Sequence, residues 1–300
     1  MKNNALNLKY SILVYLLLAF HFNSHSQESS KVPYIGIFVG AMNYQGDLNP
    51  TSFKFSHSKL TGAVTFRKPI NRWFSLKAGA SIGKIEAADR YNRDYLKPRN
   101  LSVYTTVKEA YLGLEVNLLD MSTKRFSPYM YGSVSLYHFN PWAYDNNGKK
   151  VYLQPLSTEG QGISQYPKQR PYKLTQTALG FGVGARYALS EYINIGVEFS
   201  QRKTFTDYLD DVSSIYVDKD VLLQAKGAKA VEMAYRGDEL PGGQPYPAHG
   251  EQRGTPSEMD WYYFYGFTLE IKLPVIGKIF KGLNNDNSLA LHSARCPKYF

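Results

Sequence analysis

Cysteine is almost absent from this chain of 300 residues, which contains only Cys296. An intrachain disulfide is therefore excluded, and an exported protein without disulfides needs another source of stability, such as a closed sheet. The four histidines beyond residue 26 are widely separated, and no two of them have the spacing of metal ligands. We therefore expect neither a disulfide framework nor a zinc centre, and we expect no cofactor.

Long hydrophobic runs are also missing beyond residue 26. No segment there reaches the roughly 18 apolar residues that a transmembrane helix needs, so any membrane crossing would use strands. Basic residues outnumber acidic ones by 35 to 25, giving a net charge of +10, but they are scattered and form no long run. Basic segments interleaved with aromatic residues are absent as well, and we expect no nucleic-acid partner.

The N-terminus has the pattern of a secretory signal peptide. Lys2 and Lys9 precede an apolar run over residues 11–22, and the small residues Ser24 and Ser26 follow it. The run is too short for a comfortable membrane span, although an uncleaved anchor is the alternative. We predict a signal peptide over 1–26, a barrel domain over 27–274 and a periplasmic C-terminal tail over 275–300.

Alternation of apolar and polar residues is what this sequence has in abundance. In residues 261–273, aromatic and aliphatic side chains occupy every second position, and Gly266, Thr268, Glu270 and Lys272 lie between them. A period of two places these two sets on opposite faces of a β-strand. Eight segments show this pattern between turn residues, so we predict eight strands. They cover residues 34–44, 59–67, 73–83, 106–119, 126–139, 175–189, 193–202 and 261–273.

The connections between the predicted strands alternate in length. Those after the second, fourth and sixth strands are a few residues long, whereas the others have about 14, 22, 35 and 58 residues. Short periplasmic turns and long external loops are typical of bacterial outer-membrane barrels. A soluble eight-stranded barrel, the alternative, does not need four such loops at one rim. We therefore predict an all-β protein, an eight-stranded antiparallel transmembrane β-barrel that is integral to the outer membrane.

The polar faces of the predicted strands carry charges of both signs. In a soluble barrel these residues would lie in solvent, whereas in a narrow membrane barrel they fill the lumen. Because an unpaired buried charge is costly, we expect them to pair across the lumen. The predicted lumen network consists of Arg67, Lys77, Glu109, Glu115, Arg186, Glu198, Glu270 and Lys272.

Two groups of residues are candidates for chemistry. His138 lies near Ser135 at the external end of the fifth strand, where lipid-modifying barrels place such a pair, but this spacing puts the two side chains on opposite faces. Asp207, Asp210 and Asp211 are clustered, but they lack the spacing and the glycine of an EF-hand calcium loop. Aspartates that cap turns explain this cluster better. We therefore predict no enzymatic activity and no metal site.

Three loop segments carry motifs of their own. They read YQGDLNP at 44–50, FNPWA at 139–143 with LSTEGQ at 156–161, and TFTDYLDDVS at 204–213 with YVD at 216–218. Together they resemble the PorG-like family of small outer-membrane β-barrels in the type IX secretion system of Bacteroidetes, and the third motif is the most specific. The motif residues that we single out are Gly46, Asp47, Asn49, Pro50, Asn140, Pro141, Asp207, Asp210 and Asp211.

This resemblance covers nearly the whole chain after the signal peptide and implies a function. It implies a non-catalytic component of the secretion machinery, linked to gliding, that anchors or organises a periplasmic ring built from a PorK-type lipoprotein and its PorN-type partner. A narrow barrel does not pass folded cargo. Two alternatives remain: a structural or ligand-binding OmpA-like surface barrel, and a lipid-modifying barrel enzyme.

Overall fold

The structure is a computed structural model that describes residues 31–51 and 55–274. The signal peptide predicted for 1–26 and the tail predicted for 275–300 lie outside these residues, so the proposed domain boundaries stay predictions. Among the described residues, no helix is both long enough and apolar enough to cross a membrane.

The described chain is built mainly from β-strands. Eight of them pair antiparallel with their neighbours along the chain, and the first also pairs with the last, which closes a barrel. The remaining two, β6 and β7, form a short hairpin that pairs with β4 above the barrel. The strands are β1 Tyr34–Gln45, β2 Lys59–Pro69, β3 Phe74–Ala88, β4 Ser102–Asn117, β5 Phe126–His138, β6 Trp142–Tyr144, β7 Lys150–Tyr152, β8 Thr175–Ala188, β9 Ile193–Thr204 and β10 Trp261–Lys272.

The register of the pairs fixes the stagger of the barrel. A row of directly paired residues that starts at Trp261 on β10 crosses all eight barrel strands and returns to β10 at Ile271, ten positions further along. A stagger of this kind requires strands that are tilted against the barrel axis. An eight-stranded barrel has an interior just wide enough to be filled by side chains.

The closed eight-stranded barrel predicted from the sequence is confirmed. Most strand ends agree within two residues, but β3 continues to Ala88 and β4 begins at Ser102, further out than the predicted ends at 83 and 106. The outward positions Lys84 and Glu86 interrupt the apolar alternation there. The inward residues of this extension, such as Ile85, are nevertheless buried, because the external loops cover them.

Three short elements lie in segments for which the sequence predicts long loops. They are the β6–β7 hairpin and the helices α1 (Lys219–Lys226) and α2 (Ala228–Ala234). The Asp218 side chain caps α1 by accepting hydrogen bonds from the backbone N–H groups of residues 220 and 221, each at 3.0 Å. Leu222 and Ala230 then pack into a small apolar cluster beside the barrel mouth. Elements this short do not produce a clear periodic pattern.

The outward face of the barrel is apolar and exposed, whereas the inward face is polar and buried. This arrangement is the inverse of that of a soluble protein, and it fits a barrel whose outer surface contacts lipid. The protein is therefore integral to the outer membrane. Twelve outward residues each expose between 49% and 77% of their surface: Ile37, Val39, Leu60, Val64, Ile82, Leu112, Val134, Leu136, Phe181, Val183, Val197 and Phe267.

The two ends of the barrel differ. The turns over 70–73, 118–125 and 189–192 are short, and a side chain accepts backbone hydrogen bonds in each. Asn71 accepts from Trp73 N and Phe74 N, both at 2.8 Å. Asp120 accepts from Ser122 N at 2.9 Å, and Ser190 accepts from Tyr192 N and Ile193 N, both at 3.2 Å. The long connections all lie at the other end. Because short turns face the periplasm in barrels of this class, the long loops are external.

We predict that a charge on the lipid face destabilises the barrel according to its depth. Leu112 lies near the middle of β4, so Leu112→Arg should lower the free energy of unfolding by about 2–4 kcal/mol. The matched control, Leu60→Arg, makes the same change on the same face at the external end of β2, and it should cost about 1 kcal/mol or less. Urea unfolding in lipid vesicles measures both; equal costs would contradict the membrane placement.

Candidate functional site

The lumen near the periplasmic end holds two arginines and two glutamates. Arg186 binds two carboxylates, with 3.0 Å from Nη2 to Glu115 Oε2 and 3.0 Å from Nε to Glu270 Oε2. Arg67 binds the same Glu270 from the opposite side, with 2.9 Å from Nη2 to Oε2. None of the four exposes more than 6% of its surface. These residues therefore form a continuous cluster that ties β2, β4, β8 and β10 together across the lumen.

A second cluster, centred on Glu198, fills the middle of the lumen. The Lys77 ammonium binds the Glu198 carboxylate. The Tyr129 hydroxyl donates to Glu198 Oε2 at 2.7 Å, and the Tyr131 hydroxyl donates to Oε1 at 2.9 Å. Gly182 makes this arrangement possible, because a Cβ atom there would lie 2.1 Å from the Tyr131 ring.

A third cluster lies at the external end of the lumen. Arg202 Nε lies 2.7 Å from Glu109 Oε1, and the Tyr262 hydroxyl donates to Glu109 Oε2 at 3.0 Å. The eight predicted lumen residues do not include Arg202, although it is the last residue of the predicted strand over 193–202. Arg202 is the next inward position after Ser200, so the same alternation assigns it to the lumen.

The structure brings seven of the eight predicted lumen residues into these clusters. The eighth, Lys272, lies at the periplasmic end of β10, where its Nζ is 5.8 Å from the centre of the Tyr192 ring. A residual lumen cavity, lined in part by Phe38 and Phe264, has a volume of about 20 Å³, which is room for about one water molecule. The clusters hold four cations and four anions: Arg67, Lys77, Arg186, Arg202, Glu109, Glu115, Glu198 and Glu270.

Above the barrel, the external loops fold into a cap in which all three sequence motifs meet. Asp210 of the third motif accepts hydrogen bonds from the Tyr44 hydroxyl at 2.8 Å and from Leu48 N at 3.0 Å, both in the first motif. Asp211 accepts from Thr158 Oγ1 at 2.6 Å, in the second motif, and from the Tyr172 hydroxyl at 2.7 Å. These aspartates therefore join segments that are far apart in the sequence.

A buried ion pair holds the centre of the cap. Arg253 Nη1 lies 2.8 Å from Glu159 Oε1, and neither side chain exposes more than 1% of its surface. Glu159 also accepts hydrogen bonds from Ser213 N at 2.8 Å and from Ser214 Oγ at 2.6 Å. The sequence does not reveal this pair, because no local pattern relates two residues separated by 94 positions.

The first motif forms a tight turn at the cap edge. Asn49 N donates to Gly46 O at 2.9 Å, and the Asn49 amide donates to Tyr44 O at 2.6 Å. Gly46 lies so close to Asp260 that an added Cβ would be 2.0 Å from Asp260 Oδ1, so no larger residue fits. Pro50 follows this turn and is partly exposed.

Asp47 and the second motif also form hydrogen bonds within the cap. Thr255 N donates to Asp47 Oδ2 at 2.9 Å, which links the first loop to the last. Leu153 N donates to Pro141 O at 2.9 Å and extends the β6–β7 hairpin at its base, and Asn140 is adjacent to it. Each of the nine motif residues thus lies in the cap or at its edge, on the external side of the membrane.

Four aspartates crowd together in the cap. Burial raises the pKa of Asp207 to about 9 and that of Asp210 to about 7, and repulsion between the carboxylates adds to the effect. The pKa values of Asp47 and Asp260 are raised for the same reasons. Within residues 31–51 and 55–274, no group of three or more acidic, cysteine or histidine side chains is arranged to hold a metal ion. The raised pKa values mean that the folded cap favours the protonated form of these carboxyl groups.

The candidate pair for lipid chemistry is not assembled. Ser135 faces the lumen and is buried, whereas His138 lies on the outward face and is exposed. The nearest hydroxyl to the imidazole belongs to Thr175, whose Oγ1 lies 2.9 Å from His138 Nδ1. A serine and a histidine on opposite faces of a strand cannot share a substrate.

Comparison with protein families identifies one match. The family model described as a domain of unknown function, DUF6089, matches residues 10–222. This range is more than half of the chain, and the chain therefore belongs to the DUF6089 family. No curated protein sequence matches the chain.

Among solved structures, several outer-membrane barrels are similar to this chain. Neisserial surface protein A is 8% identical with a TM-score of 0.39, over 80% of this chain and 97% of that one. OprG from Pseudomonas aeruginosa is 12% identical with a TM-score of 0.38, over 81% and 97%. Ail from Yersinia pestis is 9% identical with a TM-score of 0.36, over 80% and 99%. The membrane assignment rests on the surface of the barrel itself.

We predict strong energetic coupling between Arg202 and Glu109. Arg202→Met leaves a buried carboxylate without its cation, so it should lower the free energy of unfolding by roughly 3–5 kcal/mol. The double variant Arg202→Met/Glu109→Gln removes the stranded charge and should recover about half of this loss or more. Urea unfolding of both single variants and the double variant gives the coupling energy. Additive losses would show that the two groups do not interact.

We also predict that the cap loosens as the pH rises. A carboxyl group whose pKa is raised by folding binds its proton more tightly in the folded cap than in the unfolded chain, where it titrates near pH 4. Stability is therefore fully present at low pH and is lost as the pH rises through about 7 for Asp210 and about 9 for Asp207.

Limited proteolysis of the external loops measures this dependence, and cleavage should accelerate between pH 5 and pH 9, roughly the window from the unfolded to the folded pKa. Asp207→Asn mimics the protonated state and should flatten the profile. The control is Asp94→Asn, since the Asp94 side chain is 96% exposed. A cleavage rate that is independent of pH in the wild type would contradict the proposed protonation.

Proposed function

We propose that this DUF6089 protein is a non-catalytic, non-conducting outer-membrane component of the type IX secretion machinery, in which it anchors or organises the periplasmic ring. The observation that carries the structural part of the proposal is the filled lumen. Three layers of paired charges and tyrosines cross it, and a residual cavity of about 20 Å³ has no room for a substrate. A barrel filled in this way is a membrane anchor and not a route for cargo.

The link to type IX secretion is supported by the three motifs and their family resemblance. The motif residues lie in the external cap, at the opposite end from the periplasmic turns, so they maintain the cap and do not contact a periplasmic ring. The surfaces that face the periplasm are the turns over 70–73, 118–125 and 189–192. Their exposed cations Arg72, Lys124 and Arg125 are candidates for contact with the ring lipoprotein.

The experiment is a crosslinking pull-down from solubilised outer membranes, combined with a secretion assay in a deletion strain. We expect the ring lipoprotein and its partner in the eluate, and a loss of secretion without the protein. Arg72→Glu/Lys124→Glu should reduce the crosslinks, whereas the matched external variant Lys149→Glu/Lys168→Glu should not. Normal secretion in the deletion strain, with no ring protein in the eluate, would refute the assignment.

A second candidate function, a surface ligand-binding barrel, is favoured by one feature of the β6–β7 hairpin. Trp142 stacks on Tyr104 with ring centres 4.6 Å apart, while Tyr144 and Tyr152 are 46% and 45% exposed. Exposed aromatic rings of this kind suit a flat ligand. Tyr144→Ala/Tyr152→Ala would abolish ligand binding and leave secretion intact if this alternative holds.

We predict that the purified protein does not conduct ions. Reconstituted in planar bilayers, the wild type should give no steady conductance, because paired side chains fill the lumen at three levels. Removing only the middle cluster with Lys77→Ala/Glu198→Ala should also leave the bilayer closed, because the clusters around Arg186 and Arg202 still fill the lumen. Steady conductance in the wild type would overturn the anchoring proposal.

A further inference from the structure

Four basic side chains project outward at the external edge of the apolar band. They are exposed, and they come from four of the barrel strands, β3, β4, β5 and β9. Each lies on the face that contacts lipid further down the same strand. We call this group the cationic arc; its members are Lys84, Lys108, His138 and Lys203.

The register places these residues at one height in the membrane. Lys108 is paired directly with His138 across β4 and β5, and Lys84 is paired with Thr106, two residues from Lys108 on the same face. Following directly paired residues once around the eight strands moves ten positions along the strand, which is just over one residue per strand. Residues at the same height on neighbouring strands are therefore offset from direct pairing by just over one residue. On this basis Lys203, four strands from Lys84, falls within two residues of the same level.

The surroundings of the arc leave its positive charge uncompensated. Lys108 lies directly opposite His138 on the neighbouring strand, so an anion between them would contact both basic side chains. The acid on this face that is nearest to Lys84 is Glu86, and among the described residues it is already bound by Lys59 and by Arg90, the latter at 3.8 Å. Below the arc the outward residues are apolar, for example Ile82 and Leu136.

The opposite side of the barrel is different at the same height. There the corresponding positions on β10, β1 and β2 are Tyr263, Asn43 and Leu60, which carry no charge. Leu60 is exposed, whereas Tyr263 and Asn43 are buried against Phe55 and Ser56 of the first external loop. Lys59, at the external end of β2, is bound by Glu86. The basic groups of the arc therefore lie on one side and do not form the uniform ring expected of a general interfacial belt. A localised group of cations above an apolar surface matches a ligand with an anionic head and acyl chains.

We propose that the cationic arc binds the phosphate groups of a phosphorylated glycolipid in the outer leaflet, with the acyl chains lying on the apolar residues below. Ammonium groups donate strong hydrogen bonds to phosphate oxygens, and an imidazole N–H group also donates to them. The Thr175 hydroxyl holds His138 through Nδ1 at 2.9 Å and leaves its other nitrogen available to the ligand. This site lies on the lipid-facing surface of the barrel. The proposal that it binds a glycolipid does not depend on the proposed role in secretion.

The test uses the full-length protein in detergent, titrated with bisphosphorylated lipid A and followed by native mass spectrometry. The triple variant Lys84→Gln/Lys108→Gln/His138→Gln should bind roughly tenfold more weakly or worse, because each cation near the headgroups contributes about 1 kcal/mol. Lys84→Arg/Lys108→Arg should retain binding. The matched control Lys149→Gln/Lys168→Gln/Arg170→Gln removes exposed basic groups from external loops and should bind like the wild type.

Two further ligands make the test specific. The wild type should bind dephosphorylated lipid A and phosphatidylglycerol at least about tenfold more weakly than the bisphosphorylated form. The heat-dependent shift in gel mobility that marks a folded barrel verifies that each variant is folded. Unchanged binding by the folded triple variant, or equal binding of phosphatidylglycerol, would overturn the proposal.

Discussion

The constraint on which this structure depends is the pairing of charges inside a barrel too narrow to hydrate them. A closed sheet of eight strands leaves an interior that only side chains fill, and four of those side chains are cations. Each would be costly to bury alone, yet each has a carboxylate partner on another strand. The pairs therefore neutralise the lumen and connect strands that are not neighbours in the sheet.

The external cap also buries acidic side chains, but only some of them have a cationic partner. Arg253 neutralises Glu159, whereas burial and the neighbouring carboxylate of Asp47 raise the pKa of Asp210 to about 7. Buried carboxyl groups are therefore accommodated in two ways. Where arginine or lysine is nearby they form ion pairs, and where neither is nearby a raised pKa favours the protonated form. Only the second way makes the stability of the cap depend on pH near neutrality.

Much of the barrel was predictable from the sequence, because an alternation of period two with a lipid-facing side is a local signal. Glu115, Arg186 and Glu270 could be assigned to the lumen from parity alone. The residues with which they pair could not be predicted, because pairing across the lumen depends on the stagger of the strands. The stagger cannot be read from the sequence of any single strand. The cap was harder still: Arg253 meets Glu159 through loop folding, and helices of seven or eight residues give little periodic pattern.

The most direct test of the account is an experimental structure of the barrel in a lipid bilayer, at a resolution that shows the lumen side chains and their waters. The account predicts that Arg186 contacts Glu115 and Glu270 at hydrogen-bond distance, that Lys77 contacts Glu198, and that the lumen holds only isolated water. A continuous column of water along the barrel axis, with these charged groups separated by it, would contradict the claim that paired charges close the lumen.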